Sequence, residues 1–246
     1  MLREKNVVLA IRRYLMRVYD SIALSYHGKR VKPWKPIVYR ALLHLKPSLR
    51  TIIADIGCGS GHNTIEVAIR GFYVIGLDIS LSMILLARKR FKRRSVIVYS
   101  DFIQADMLYL PFRNNSIHSL IYIASLHHIP SELCTCILRE SYRCLRVPGL
   151  LVITVWSLLQ LRHLPLILWS IIGRFTNRYI YRGLGDVYVP WRYKGKTYYR
   201  YYHLYLPSEL KHLISKFNFK IVEYGRFDIR RSILPQNYFT LAIKVK

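Results

Sequence analysis

A glycine-rich turn that follows an apolar run has the composition of a nucleotide-cofactor loop. The run TIIADI (51–56) leads directly into GCGSG (57–61), where glycines stand at every second position. Glycines in a strand-to-helix turn let backbone N–H groups approach a ligand, and the N-terminus of the following helix adds a partial positive charge. Such a turn can bind either a dinucleotide or the methionine and ribose parts of S-adenosylmethionine.

Three acidic residues decide between these cofactors. Asp55 stands before the turn, where it would repel a pyrophosphate but can receive the ammonium group of a methionine moiety. Asp78 in GLDIS can accept hydrogen bonds from both ribose hydroxyls, and Asp106 in QADM can accept one from the adenine amine. A dinucleotide fingerprint would also need a small residue where His62 stands. The sequence therefore predicts S-adenosylmethionine as the cofactor.

The predicted cofactor site joins the turn to the residues that follow the next strands. It comprises Asp55, Gly57, Gly59, Gly61, Asp78, Ile79, Asp106, Met107 and Ala124. No C-x-x-x-C-x-x-C cluster of the kind that holds an iron–sulfur centre is present in the sequence, so polar methyl transfer is expected. No metal site is predicted, because Cys134 and Cys136 lie two apart on a predicted helix and diverge by about 200°.

These residues need a scaffold whose strands end at one edge, and the chain shows the strand–helix alternation that provides it. Strands are predicted at 51–56, 72–77, 96–99, 117–123, 150–156, 219–224 and 238–245, and helices at 62–70, 81–91, 131–145 and 207–217. The alternation predicts an α/β, Rossmann-like fold with a seven-stranded, mostly parallel sheet, one antiparallel strand and helices on both faces.

The positive charge of the chain, +26 in total, lies mainly at its two ends. Residues 1–50 contain 12 Lys and Arg against 2 acids, residues 51–156 contain 11 against 7, and residues 157–246 contain 16 against 4. We interpret the chain as one domain with a basic helical N-terminal extension (1–50), a cofactor-binding core (51–156) and a substrate-facing C-terminal part (157–246). The basic ends favour a polyanionic substrate. The run ARKRFKRR (87–94) is interpreted as a solvated helix end, with phosphate binding as the alternative.

The sequence predicts neither a membrane span nor a secretion signal. The apolar stretch 145–172 is interrupted by charged residues and prolines, and the first residues show arginines within a helical apolar pattern. The four cysteines show no disulfide framework, which indicates a reducing compartment. We therefore expect a cytoplasmic protein.

The run YYRYYHLY (198–205) follows neither the alternation of a buried strand nor the composition of a surface strand. Aromatic and cationic side chains together suit a nucleic acid, because bases stack on rings while cations hold phosphates. The alternative is that the run only reflects the high tyrosine content of the chain, which has 20 tyrosines in 246 residues.

Together with the cofactor turn, the segments VYDSIALSYHGKRVKPW, ADMLYLPF, ASLHHI and VYVPW…YYRYYHLYLPSEL resemble the tRNA wobble-uridine carboxymethyl methyltransferases, the group that includes the methyltransferase domain of an AlkB homologue. The likeness covers nearly the whole chain, and the K-P-W and R-Y-Y-H-L-Y segments are its most specific parts. It implies a class I methyltransferase fold and an enzyme that uses S-adenosylmethionine to esterify a 5-carboxymethyl group on the wobble uridine of tRNA.

The resemblance also implies reaction-pocket residues and a partner. The pocket residues of the family fall on Arg30, His128 and Arg200. Arginine forks suit the orientation of a carboxylate, which is already a nucleophile and needs in-line positioning against the sulfonium methyl rather than a general base. A small zinc-ribbon activator protein is implied, and we expect it to add a strand near 107–112, because an apolar edge strand needs to be covered.

Two features depart from the family's pattern. An apolar, arginine-flanked insertion lies between Trp156 and Asp186, and His118 stands where many relatives begin the fourth strand with an acid. Two alternatives stay open at this point: a methyltransferase for a small carboxylic acid, and a noncatalytic RNA-binding module that retains the fold.

Overall fold

The computed structural model describes residues 2–30, 32–176, 183–228 and 233–246, and its centre is a seven-stranded sheet. The strands are β1 (Ile52–Ile56), β2 (Tyr73–Asp78), β3 (Ser100–Gln104), β4 (Ile117–Ile123), β5 (Leu145–Trp156), β6 (Asp186–Tyr193), β7 (Lys196–His203), β8 (Phe219–Arg226) and β9 (Asn237–Lys244). The main sheet has the order β3-β2-β1-β4-β5-β9-β8, and β6 pairs with β7 in a separate sheet. Within the main sheet β9 pairs antiparallel with both of its neighbours and the other pairs are parallel. The predicted fold class is confirmed.

Helices cover both faces of the main sheet. They are α1 (Leu2–Lys29), α2 (Lys35–Leu42), α3 (Thr64–Ala68), α4 (Leu81–Arg93), α5 (Ser131–Cys144), α6 (Leu164–Thr176) and α7 (Pro207–Ser215). One apolar core lies between the sheet and α5 and α7, and a second lies between the sheet and α2, α3 and the end of α4. Because the central strands are buried on both sides, they appear in the sequence as continuous apolar runs.

Two predictions about the edge of the sheet are wrong. Residues Ile97–Tyr99 form a 3-10 turn, and the edge strand β3 begins only at Ser100. The segment 107–112 is a loop rather than a strand, because Leu108 and Leu110 bury their side chains in the core. The apolar residues of this segment are thus largely covered, and the edge that the main sheet presents on this side is β3.

Helix α1 lies beside α4, and its contacts show that the two helices run parallel. Asp20 Oδ1 accepts hydrogen bonds from the Ser80 hydroxyl at 2.6 Å and from the Ser82 N–H at 3.0 Å. Further along both helices, His27 Nδ1 lies 3.4 Å from a guanidinium nitrogen of Arg90. Asp20 therefore caps the start of α4, where a carboxylate is favoured by the helix dipole.

The tyrosine-rich run is the strand β7, which contradicts the expectation that its pattern fits no strand. The chain turns between β6 and β7 through Lys194 and Gly195, both at positive φ as a tight hairpin requires. Tyr201 packs against Ile11 and Leu15 of α1, whereas Tyr202 packs on the opposite side in a cluster that includes Ile167 of α6. Because β7 is covered on both faces, apolar and aromatic residues do not alternate with polar ones along it.

A buried ionic network attaches β7 to β6 and α7. His203 Nδ1 lies 2.7 Å from Asp186 Oδ1, and His203 Nε2 lies 2.6 Å from Glu209 Oε1. Burial opposes the charged imidazolium, but the hydrogen bonds to Asp186 and Glu209 outweigh burial and raise the pKa of His203 to about 9. Tyr201 also donates its hydroxyl to Asp186 Oδ1 at 2.7 Å.

We expect His203→Gln to destabilise the protein in a pH-dependent way. A histidine whose pKa is raised on folding contributes its full stabilisation below the unfolded pKa of about 6.5 and loses it as the pH rises through the folded pKa. The free energy of unfolding should therefore fall by about 3 kcal/mol at pH 6 and by less near pH 9. Chemical denaturation across this pH range measures the difference. The matched control is His212→Gln, which removes an exposed histidine of α7; equal effects of the two variants would contradict the account.

Candidate active site

A cleft of about 700 Å³, counted to where it opens to solvent, lies at the carboxyl ends of β1, β2, β3 and β4. In open α/β sheets this edge is where ligands bind. The cleft is lined by seven of the predicted cofactor residues, namely Gly57, Gly59, Asp78, Ile79, Asp106, Met107 and Ala124. The structure thus brings together residues from four separate loops, as the sequence predicts.

The glycine turn adopts a backbone that side chains would obstruct. Gly57 has φ +75°, and a Cβ there would lie 2.4 Å from the Ser125 Cβ. Gly59 has φ +54°, and its N–H donates to Asp78 Oδ2 at 2.8 Å. Asp78 Oδ1 accepts from the Ser80 N–H at 2.9 Å, so each carboxylate oxygen keeps a lone pair for a ligand. Two hydroxyls of a ribose match this arrangement.

Two buried carboxylates at the cleft would be stabilised in their ionised form by a positively charged ligand. Burial raises the pKa of Asp78 to about 6, although backbone hydrogen bonds oppose the rise. Burial also raises the pKa of Asp55 to about 7, with the Thr64 hydroxyl, 2.5 Å away, as an opposing hydrogen-bond donor. A cationic ligand would stabilise both ionised carboxylates, and S-adenosylmethionine carries a sulfonium and an ammonium group. These residues therefore fit that cofactor.

Two predicted cofactor residues lie behind the wall of the cleft. Asp55 is fully buried beneath the turn and holds Thr64, so its contact with an ammonium group stays a prediction. Gly61 has φ +77°, and a Cβ there would lie 3.2 Å from the Ala87 Cβ, so this glycine lets the turn approach α4. The loop glycines consequently serve two purposes, ligand approach and helix packing.

Helix α1 forms the outer wall of the cleft, which the sequence reasoning missed. Arg12, Leu15, Tyr19 and Tyr26 line it from one face of the helix. The Arg12 guanidinium pairs with the Asp106 carboxylate, the group predicted to meet the adenine amine. The spacing of these four residues is a helical stripe, and this was the available signal in the sequence.

A side pocket of about 650 Å³ adjoins the cleft and shares Tyr26, Gly57, Gly59 and Ala124 with it. Its wall includes the predicted residue Arg30, together with Lys32, Trp34, His62, His127, Trp156 and Tyr202. A molecule in the side pocket would therefore contact the same turn that lines the cofactor cleft. This adjacency is what transfer of a group between two ligands requires.

His128 lies in the cleft wall as a neutral imidazole. Burial, supported by the charges of Arg200 and Arg30, lowers the pKa of His128 to about 3 against the opposing hydrogen bond to the Tyr201 carbonyl. Its Nδ1 lies 3.1 Å from that carbonyl oxygen, so Nδ1 must carry the proton. Nε2 therefore accepts from the Tyr19 hydroxyl at 2.9 Å. Both ring nitrogens are occupied, which assigns His128 a positioning contact with α1.

Arg200 is almost completely buried, with 3% of its surface exposed, and lies one side chain behind the side pocket. Its guanidinium donates to the Tyr202 hydroxyl at 2.7 Å and lies 4.7 Å from the centre of the Trp191 ring. Its Nε has no hydrogen-bond partner among the described residues. Throughout the described ranges, no acidic side chain forms an ion pair with Arg200. A buried cation without a counter-charge is unfavourable by itself and indicates an anion-binding site.

Aromatic rings form a cluster in the wall of the side pocket. The ring centre of Tyr202 lies 5.0 Å from His127 and 4.4 Å from Trp156, the last two are 5.3 Å apart, and His163 stacks on Trp156 at 5.3 Å. His163 comes from the apolar insertion. Among the described residues, its Nε2 and the Nδ1 of His127 have no hydrogen-bond partner. The insertion thus contributes to the wall that supports the pocket, which the sequence did not indicate.

The described residues contain neither a candidate metal site nor a candidate membrane-spanning helix. No group of three or more His, Cys, Asp or Glu side chains in those ranges could hold a metal ion. Cys134 is buried and Cys136 is exposed, in agreement with their divergence on α5. No described helix has the length and apolar character to cross a membrane.

Comparison with known proteins places the chain among methyltransferases. The family model described as a methyltransferase domain matches residues 53–149. The tRNA (carboxymethyluridine(34)-5-O)-methyltransferase of Schizosaccharomyces pombe is 27% identical over 233 residues, which cover 86% of this chain and 91% of that protein. The tRNA (carboxymethyluridine(34)-5-O)-methyltransferase ALKBH8 of Macaca fascicularis is 34% identical over 60% of this chain but only 20% of its own length.

Solved structures show the same fold at lower identity. A SAM-dependent methyltransferase from Methanosarcina mazei superposes with a TM-score of 0.69 at 23% identity, covering 87% of this chain and 99% of that chain. A Burkholderia thailandensis 1,6-didemethyltoxoflavin-N1-methyltransferase, solved with S-adenosylhomocysteine, has a TM-score of 0.62 at 17% identity over 94% of this chain and 88% of its own. The chain therefore contains a region that matches a methyltransferase domain, has the fold of class I S-adenosylmethionine-dependent methyltransferases, and is similar in sequence to the tRNA (carboxymethyluridine(34)-5-O)-methyltransferases.

Proposed function

We propose that the enzyme methylates a carboxylate on a tRNA wobble uridine, the 5-carboxymethyl group that the names of its relatives specify. The observation that carries the proposal is the buried, uncompensated charge of Arg200 behind the side pocket. A carboxylate that enters the pocket supplies the missing negative charge. A neutral hydroxyl or amine acceptor would leave that charge without a partner.

The residues of the two pockets divide the work between them. Bound S-adenosylmethionine supplies an electrophilic methyl group. Gly57, Gly59 and Asp78 would hold this cofactor. Arg30 lines the side pocket and is placed to contact the acceptor carboxylate. Arg200 lies one side chain behind the side pocket and stabilises the ionised acceptor by electrostatic attraction, without direct contact. His128 fixes Tyr19 in the wall of the cofactor cleft.

No general base is required in this scheme, and the two histidines next to the junction of the pockets are unsuited to that role. Burial and the neighbouring cations Arg200 and Arg30 lower the pKa values of both His127 and His128. These neutral imidazoles are poor proton acceptors. A carboxylate acceptor is already ionised at neutral pH, so such a site favours it over an alcohol.

Charge and accessibility support tRNA as the carrier of the acceptor. The side pocket opens between Arg30, Lys32 and Trp34, which offer cations and an aromatic ring to a nucleotide. In β7 only Tyr198 and Tyr199 of the tyrosine run have exposed surface, so at most these two can stack on bases. The other aromatic residues of the run belong to the interior.

The zinc-ribbon activator stays part of the proposal, with a changed position. Among the described strands, β3 lies at the open edge of the main sheet and could accept an added strand. The exposed Val98 and Tyr99 precede it. All four cysteines are unpaired, which agrees with the cytoplasmic location that we propose.

Nucleoside mass spectrometry tests the proposed function directly. Unmodified tRNA and tRNA that carries 5-carboxymethyluridine are each incubated with the enzyme and labelled S-adenosylmethionine, with and without a zinc-ribbon activator. We expect label in the methyl ester of 5-carboxymethyluridine and none in the unmodified tRNA. Label on another nucleoside, or on small carboxylic acids alone, would refute the proposal.

We expect Arg200→Met to lose activity without losing stability. A unit charge about 7 Å away at an effective dielectric of about 20 contributes about 2 kcal/mol, so kcat/KM for the carboxylate acceptor should fall about thirtyfold. Methionine fills a similar volume and removes an uncompensated buried charge, so the thermal midpoint should stay or rise. Affinity for S-adenosylmethionine should change by less than a few-fold. Arg192→Met, which removes an exposed arginine of the paired strand β6, is the control; a lower midpoint in Arg200→Met would show a structural role.

A further inference from the structure

The packing of α1 against α4 brings cations at the end of α1 close to the basic run 87–94. Because the two helices run parallel, the last turn of α1 lies beside the last turn of α4. The cations Lys29, at the end of α1, and Arg30, directly after it, thus lie on the same side of the molecule as Lys89, Arg90 and Arg93 of α4, with His27 in contact with Arg90. The sequence places these two groups about sixty residues apart, so only the fold shows that they form one surface.

No described acid neutralises this surface. In the described parts of the chain, neither Lys89 nor Arg93 has a carboxylate within ion-pair distance, and both side chains are exposed. Burial, followed by the charges of Arg90, Arg93 and Lys89, lowers the pKa of His27. A few cations at the C-terminal ends of two helices are favourable, because they complement the helix dipoles. Additional cations at the same place repel one another and lower the stability of the fold unless an anion binds them.

Arg90 connects this surface to the cofactor turn. Its Nε donates to the Ser60 carbonyl at 2.9 Å, and a guanidinium nitrogen lies 2.7 Å from His62 Nε2. His62 and Ser60 both line the side pocket, at whose mouth Arg30 and Lys32 also lie. The cationic surface therefore begins where the proposed acceptor base would enter.

We propose that the adjoining C-terminal ends of α1 and α4 bind backbone phosphates of the single-stranded RNA next to the nucleotide whose base occupies the side pocket. This inference rests on the proposed function. A base can enter the pocket only if its flanking phosphates pass close to the pocket, and Arg90 connects the two helix ends to Ser60 and His62 of the pocket lining. Phosphates held by Lys and Arg carry no sequence information, so the surface fixes the position of the strand rather than its identity.

The test compares two double variants that remove equal charge. Lys89→Gln/Arg93→Gln alters the proposed surface, whereas Arg139→Gln/Lys220→Gln removes two exposed cations from α5 and β8. The probe is a fluorophore-labelled RNA stem-loop, and its dissociation constant is measured by anisotropy between about 50 and 200 mM salt. The thermal midpoint and the affinity for S-adenosylmethionine are measured for each protein.

We expect Lys89→Gln/Arg93→Gln to weaken RNA binding about ten- to thirtyfold at physiological salt and to reduce the logarithmic salt slope by about 1.5 to 2. The control double variant should change each quantity much less, and both variants should keep the midpoint and the cofactor affinity of the wild type.

Equal losses in the two variants would show that only net charge matters, and would overturn this inference while leaving the proposed function intact. Loss of binding to anionic vesicles with RNA affinity unchanged would identify a lipid surface instead and would also overturn it. Absence of RNA binding by the wild-type protein would overturn both proposals.

Discussion

The burial of Arg200, with no carboxylate partner among the residues that the structure describes, is the constraint on which the rest of the site depends. Strand β7 is covered by α1 on one face and by the α6 region on the other, so the guanidinium has little access to water. It is held by the Tyr202 hydroxyl and by the rings of Trp191 and Tyr202. A positive charge in such surroundings keeps the nearby imidazoles neutral, because it adds to burial in lowering the pKa values of His127, His128 and His163. The pocket therefore combines neutral hydrogen-bonding groups with the positive charges of Arg30 and Lys32 in its wall and of Arg200 one layer behind, which suits an anionic acceptor.

Helix α1 joins the two halves of this arrangement. Through Asp20 it is fixed to the start of α4, through Arg12 to Asp106, and through Tyr19 to His128. The same helix buries Tyr201 of β7. A ligand that reaches Asp106 must share that carboxylate with Arg12, so cofactor binding and the position of α1 are energetically coupled. Residues of the N-terminal extension therefore line the cleft in which we propose that the cofactor binds.

The sequence was sufficient for the scaffold because the parallel strands are buried on both faces and appear as apolar runs. The glycine turn and the acids after β2 and β3 were recognisable for a similar reason, since strand ends in such a sheet meet at one edge. Strand β3 was misplaced because an edge strand such as SDFIQ lacks a continuous apolar pattern. Strand β7 was not recognised because its two covering layers, α1 and α6, lie far from it in the chain. Arg12, Tyr19 and Trp156 were missed as site residues because their contacts depend on that long-range packing.

The central claim is that the enzyme binds its acceptor as an anion whose charge Arg200 balances. The most direct measurement compares the dissociation constants of 5-carboxymethyluridine and its neutral amide, 5-carbamoylmethyluridine, for the wild-type enzyme saturated with S-adenosylhomocysteine and for Arg200→Met. The account predicts that the wild type binds the carboxylate at least about tenfold more tightly than the amide, in line with about 2 kcal/mol from one nearby charge, and that Arg200→Met loses this preference. Equal affinity of the wild type for the two nucleosides, or an undiminished preference in the variant, would contradict it.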